Sequence, residues 1–132
     1  MYAECGGLMY LGESVTLRSG DRYAMTGVLP LHVTMDPGHL VIRYVDLRTR
    51  LPSPLGTAGT RLRGQEFHQS RITSAAPMPS LFTATGSDGT TSAAGYLVRQ
   101  VVAHYVHVHL ASNPQVAEHF LTAAVAARAQ QE

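Results

Sequence analysis

Residues 1–11 read Met1-Tyr2-Ala3-Glu4-Cys5-Gly6-Gly7-Leu8-Met9-Tyr10-Leu11, and this stretch decides how the rest of the chain is read. It holds the sole cysteine, set between a short extended segment and two glycines that open an apolar, helix-like run. That order predicts a strand–turn–helix elbow, the turn that exposes a nucleophile and aims the next backbone N–H at a substrate. Gly6 and Gly7 carry no Cβ, so such a turn can close and a ligand can approach the backbone. A helix starting after Cys5 would place unpaired N–H groups near the sulfur and favour a thiolate. A lone cysteine in a reducing compartment is more often a small buried hydrophobe, so the elbow alone does not make a nucleophile.

Outward from the elbow, the chain has 132 residues, 45% of them hydrophobic and 14% charged, which fits one domain with a real core. A net charge of +1 gives no basis for binding nucleic acid or an anionic membrane. All ten basic residues are arginine. A single cysteine excludes an internal disulfide. The start lacks the basic and apolar regions of a signal peptide, and no apolar run reaches the length of a membrane span, so a cytoplasmic protein is expected. Tyr2–Glu4 is short for a strand that usually lies inside its sheet. The chain is therefore expected to be an incomplete domain, with the preceding strands missing and an unpaired sheet edge that invites association.

The pattern predicts a short helix over Leu8–Ser14, with Leu8, Leu11 and Val15 at helical spacing. A strand over Tyr23–Leu29 ends at Pro30, and a stronger one over His39–Arg48 has alternation that slips at Tyr44-Val45, as in a strand buried on both faces or at a bulge. Leu51–Gly59 is a Pro/Gly loop. Thr60–Ser70 reads as a strand interrupted at Gly64, and Leu81–Thr85, Gly95–Val98 and Val101–Leu110 as three more. Asn113 and Pro114 suit the cap and first turn of a last helix that runs to about Gln130.

His104, His107 and His109 crowd one strand. Alternation puts His107 and His109 on one face and His104 on the other. Three readings stay open: a metal pair completed by His68 or Glu66, inert hydrogen-bonded histidines, or a general base for Cys5.

Three separated segments, YAECGGLMYL, GTRLRGQEFHQSR and AHYVHVHLASNP, occur in an order and spacing that resemble the cobyrinic acid a,c-diamide synthase family, in its C-terminal class I glutamine amidotransferase domain. The resemblance covers nearly the whole chain. It implies an α/β, flavodoxin-like domain with a sheet flanked by helices, here its C-terminal part over residues 1–132. It implies that Cys5 is the nucleophile that releases ammonia from glutamine, that His107 is its acid–base partner, and that the Gly6 N–H is an oxyanion donor beside Gly7. Glu66 and His68 fall in the family's middle motif, as residues lining the site or a domain contact. The resemblance further implies a separate synthetase domain using ATP and magnesium, neither bound by this chain. That domain amidates the a and c side chains of cobyrinate or hydrogenobyrinate on the route to vitamin B12. The expected partners are glutamine and such a synthetase domain, or a second copy of the chain.

The chain departs from the family pattern in three ways. Gln65 and Gln69 stand where histidine and tyrosine are usual. His109 stands where class I glutaminases often carry a glutamate two residues after the histidine. The synthetase half and the upstream loop that would give a second oxyanion N–H are not in the sequence. Related alternatives are a nickel-tetrapyrrole a,c-diamide synthase, cobyric acid synthase, and an inactive remnant or docking subunit.

Overall fold

The computed structural model describes residues 1–130. The elbow forms as strand β1 (Tyr2–Glu4), Cys5, and helix α1 (Gly6–Leu11). The remaining elements are β2 (Ser14–Thr16), β3 (Arg22–Ala24), β4 (Leu31–Met35), β5 (Val41–Thr49), β6 (Arg61–His68), β7 (Ser70–Ala75), β8 (Ser80–Gly86), β9 (Thr91–Val98), β10 (Val101–His104), β11 (Val106–Val108) and helix α2 (Pro114–Ala129). The result is an α/β fold with two mixed sheets and few helices.

The larger sheet has the order β1-β10-β9-β8-β5-β6-β11, and the smaller has β3-β2-β4-β7. β1 pairs with β10 in parallel, with Glu4 opposite His104. β11 pairs antiparallel with β6, placing His107 opposite Gln65. β10 and β11 are separated by Tyr105 alone, yet they lie toward opposite ends of the strand order. The sheet therefore curls until its ends meet at the Tyr105 break. That closure brings β1, with Glu4 and Cys5, beside β11, and the Val108 N–H donates to Glu4 Oε1 at 3.0 Å.

Two cores hold these layers. Val45, Leu47, Leu62, Leu81, Phe82, Ala84, Val102 and Val106 pack inside the curled sheet with Val116 of α2, and Phe120 packs against them. Leu8 and Leu11 of α1 pack with Val15, Leu29, Leu31, Val33 and Ala103, which seats the elbow helix between the two sheets.

Several local expectations are revised. The first helix ends at Leu11, because Gly12 takes an extended conformation, and Val15 belongs to a strand. The strand expected over Tyr23–Leu29 is confined to Arg22–Ala24, and β4 starts only after Pro30. β5 has no bulge: Val45 and Leu47 are buried while Ile42 and Tyr44 face outward. What looked like a slip is a pair of exposed apolar residues. β6 runs unbroken through Gly64, which lies under the backbone of His107 rather than at an interruption. Asn113 makes no cap bond with its side chain, whose Nδ2 instead donates to the Arg61 carbonyl at 2.9 Å.

Candidate functional site

Cys5 occupies the turn itself, with φ 47° and ψ −106°. The sequence suggested that the glycines would absorb the unusual backbone, but Cys5 takes the positive φ and neither Gly6 nor Gly7 does. For a residue with a Cβ this conformation costs on the order of 1–3 kcal/mol, and it persists because its neighbours enforce it. The Cys5 N–H donates to the His104 carbonyl at 2.8 Å, and the Cys5 carbonyl accepts from the Met9 N–H at 3.1 Å. Gly7 is tightly placed, since a Cβ there would lie 3.2 Å from the Ala3 Cβ, whereas a Cβ at Gly6 would meet open space.

Cys5→Gly is expected to give a chain about 1–2 kcal/mol more stable than Cys5→Ala, since only glycine adopts this φ freely. Urea denaturation of the two variants checks this, and an alanine variant as stable as the glycine one would show that the turn is unstrained.

Burial pushes the Cys5 thiol up. The Gly6 N–H pulls it back, and the Glu4 carboxylate pushes it up further. The net direction is upward, contrary to the expectation that the helix start would favour a thiolate. Six residues of helix do not offset burial next to a carboxylate, so nucleophilic attack from Cys5 requires a base. The sulfur's own polar contact is weak, an S–H to the Phe67 carbonyl at 3.8 Å.

The histidine strand divides at Tyr105. His104 is 1% exposed, whereas His107 and His109 face outward. The rings of Tyr2 and Phe82 stand edge-on to His104, each 5.3 Å away. Neither of its nitrogens has a hydrogen-bond partner. His107 Nδ1 faces Glu4 Oε2 at 3.7 Å.

Glu66 and His68 form a separate network behind Cys5. Glu66 Oε2 accepts from Arg43 Nε at 2.6 Å, and its Oε1 lies 3.1 Å from His68 Nε2. Burial pushes the Glu66 carboxyl up, but the hydrogen bonds of His68 and Arg43 and the charge of Arg43 outweigh it and hold it below the usual carboxylate range. His68 Nδ1 lies 2.7 Å from the Ser70 carbonyl, and its ring stacks on Tyr105 at 3.9 Å. Tyr105 in turn accepts from the Ser70 hydroxyl at 3.0 Å. Glu66 is thus engaged by His68 and Arg43, and His68 by Glu66 and the Ser70 carbonyl. Among the described residues, no group of three or more His, Cys, Asp or Glu side chains is arranged to hold a metal ion. A metal site built on His107 and His109 with either Glu66 or His68 does not assemble among the described residues.

An open cavity of about 700 Å³ lies against the outer face of β5, β6 and β11, with Tyr44, Gln65, Thr85 and His107 in its lining. The Asp46–Arg63 ion pair, 2.7 Å, closes one side. Tyr44, Asp46 and Arg63 carry no local motif, and their place beside His107 follows only from the antiparallel pairing of β6 with β5 on one side and β11 on the other. Glu4 was overlooked for a similar reason: its partners lie at the other end of the chain. Among the described residues, no helix is long and apolar enough to cross a membrane.

Comparison with known proteins fits this geometry. Residues 1–115 match the family model of the CobB/CobQ-like glutamine amidotransferase domain. The chain is 42% identical over 125 residues to the cobyrinate a,c-diamide synthase of Syntrophotalea carbinolica, a match covering 92% of this chain and 27% of that protein. It is 38% identical over 123 residues to the enzyme of that name from Thermoplasma acidophilum, covering 93% and 27%. The Salmonella typhimurium protein of that name is 32% identical over 126 residues, covering 94% and 28%. The chain thus spans only about a quarter of the length of these curated relatives. A cysteine on an elbow between a parallel strand and a helix, together with a family match over residues 1–115, leads to one conclusion: the chain belongs to the CobB/CobQ-like family of class I, flavodoxin-like glutamine amidotransferase domains.

Proposed function

We propose that this chain is the glutaminase portion of a cobyrinate a,c-diamide synthase. The observation that carries this reading is the half-buried turn at Cys5, held at φ 47° at the mouth of a helix, in a domain of glutamine amidotransferase family. Cys5 Sγ bonds to the side-chain amide carbon of glutamine while His107 takes the thiol proton. The C–N bond then breaks, the nitrogen leaves as ammonia with that proton, and a glutamyl thioester remains. Water cleaves the thioester to glutamate and restores the thiol. The Gly6 N–H is the oxyanion donor supplied by this chain, with Gly7 keeping the turn tight.

The ammonia passes to a synthetase domain that activates the a and c carboxylates of cobyrinate or hydrogenobyrinate, an amidation that belongs to cobalamin biosynthesis in the cytoplasm. ATP and magnesium serve that activation, on residues outside this chain.

The test is labelling of the 132-residue chain with 6-diazo-5-oxo-norleucine, read by intact mass. The thiolate displaces dinitrogen from the protonated diazo carbon and forms one thioether. Labelling at Cys5 that is lost in Cys5→Ser and slowed at least about a hundredfold in His107→Ala is the expected result. Labelling indifferent to His107 overturns the assignment of the base. A folded wild-type chain that takes no label overturns an assembled glutaminase site in this chain.

A further inference from the structure

We propose that Glu4 is the positioning residue for His107, its carboxylate holding the imidazole in the tautomer that leaves Nε2 as a base for Cys5. This rests on the reading of Cys5 and His107 as nucleophile and base.

Glu4 is fixed by two bonds that do not involve the histidine. Its Oε1 accepts the Tyr2 hydroxyl at 2.5 Å and the Val108 N–H at 3.0 Å. One comes from the strand that leads into the elbow, the other from the strand that carries His107. The other oxygen, Oε2, is left facing His107 Nδ1 at 3.7 Å. That separation is longer than a hydrogen bond and within reach of one by a small rotation of an exposed ring. Burial and the Glu4 carboxylate push the Tyr2 phenol far above its ordinary value, so Tyr2 stays a proton donor.

Competing carboxylates are engaged elsewhere. Glu66 is held by Arg43 and His68, and Asp46 by Arg63. The position two residues after His107, where a triad glutamate might be sought, is occupied by His109. The acid thus comes from the residue before the nucleophile rather than from the strand after the base. A single side chain then ties Cys5, His107 and the closure of the curled sheet together.

The chemistry follows from which nitrogen bears the proton. With a carboxylate at Nδ1, the neutral ring carries its hydrogen there, and Nε2 has the lone pair that accepts the Cys5 proton. When the ring becomes charged, the carboxylate stabilises it. In Glu4→Gln, the amide oxygen still accepts from Tyr2 and Val108, so the fold is retained. The amide N–H₂ then faces Nδ1 and makes it an acceptor, which moves the ring hydrogen to Nε2 and removes the base.

The experiment compares wild type, Glu4→Gln, Glu4→Asp and His107→Ala in the full 132-residue chain. It uses two readouts: the rate of Cys5 labelling by 6-diazo-5-oxo-norleucine, and the His107 tautomer from ring-nitrogen NMR shifts. Glu4→Gln is expected to slow labelling at least about tenfold, toward the His107→Ala rate, and to switch the tautomer from Nδ1–H to Nε2–H. Glu4→Asp is expected to restore Nδ1–H and part of the rate. If His107→Ala slows labelling and Glu4→Gln does not, the role of Glu4 fails while the base assignment stands. If His107→Ala is without effect, the underlying reading fails. An unchanged tautomer in Glu4→Gln overturns the proposal even in a chain that does not label. A Glu4→Gln chain slowed in labelling but with Nδ1–H intact also overturns it, since its effect would then be structural.

Discussion

Replacing Gly64 with alanine is expected to destabilise the chain by about 3 kcal/mol and to detach β11 from β6. The ordinary effect of Gly→Ala within a strand has the opposite sign, a gain of about 0.5–1 kcal/mol from the reduced freedom of the unfolded chain. Contact geometry decides between the two. A Cβ built on Gly64 would stand 2.3 Å from the His107 carbonyl oxygen and 2.6 Å from a Val106 methyl. The first of these is backbone, so no rotamer change relieves it. β11 has three residues and pairs only with β6, through Val106–Glu66, His107–Gln65 and Val108–Gly64. A short strand cannot absorb the shift elsewhere, and it carries both His107 and the N–H that holds Glu4. Urea denaturation measures the loss, and faster amide exchange at Val106 and Val108 locates it. Cys5 labelling should fall with it. A Gly64→Ala chain as stable as wild type, with β11 exchange unchanged, would show that β6 and β11 separate at little cost.

Gly64 also shows where sequence reading stops. A glycine inside a strand pattern signals either a break or a close approach by another strand, and the local pattern does not distinguish them. The second strand here is β11, more than forty residues away. The exposed apolar pair Ile42 and Tyr44 misled in a similar way, because apolar residues are normally counted as buried, yet Tyr44 is 72% exposed beside the His107 cavity. The elbow was legible because its signals are local: a cysteine, two glycines and an apolar helical run within eleven residues. The division of the histidines was partly legible, since period-two alternation separates His104 from His107. The break at Tyr105 was not, because it comes from sheet closure. Glu4 was invisible for the same reason. A glutamate on a three-residue strand announces nothing about an N–H at Val108.

His104 is where that closure should show most in solution. Its ring is 1% exposed, and both nitrogens lack partners. Burial is the main cause of a pKa lowered from 6.5 to about 4. The charge of Glu4 works against that lowering, as do the nearby Val106 backbone and, more weakly, Glu66, while His107 adds to it. The consequence for stability has a definite sign. Above the unfolded value of 6.5, the ring is neutral in both states and the full stability is present. As the pH falls from 6.5 toward 4, the unfolded chain takes a proton that the folded chain refuses, and stability is lost. The full loss is about 3 kcal/mol, reached near the folded value. His104→Leu removes the titrating group and two unpartnered nitrogens while keeping an apolar side chain between Tyr2 and Phe82. It should therefore flatten the dependence of the urea midpoint on pH over the upper part of this window. Glu66, held low by Arg43 and His68, contributes its own acid loss only as the pH falls through the carboxylate range, so the two are separable. A midpoint that falls between pH 6.5 and 5 in wild type and not in His104→Leu places the effect on this ring. An equal fall in both would mean that His104 finds a partner or water in solution, and that the closed end of the sheet is wetter than its packing indicates.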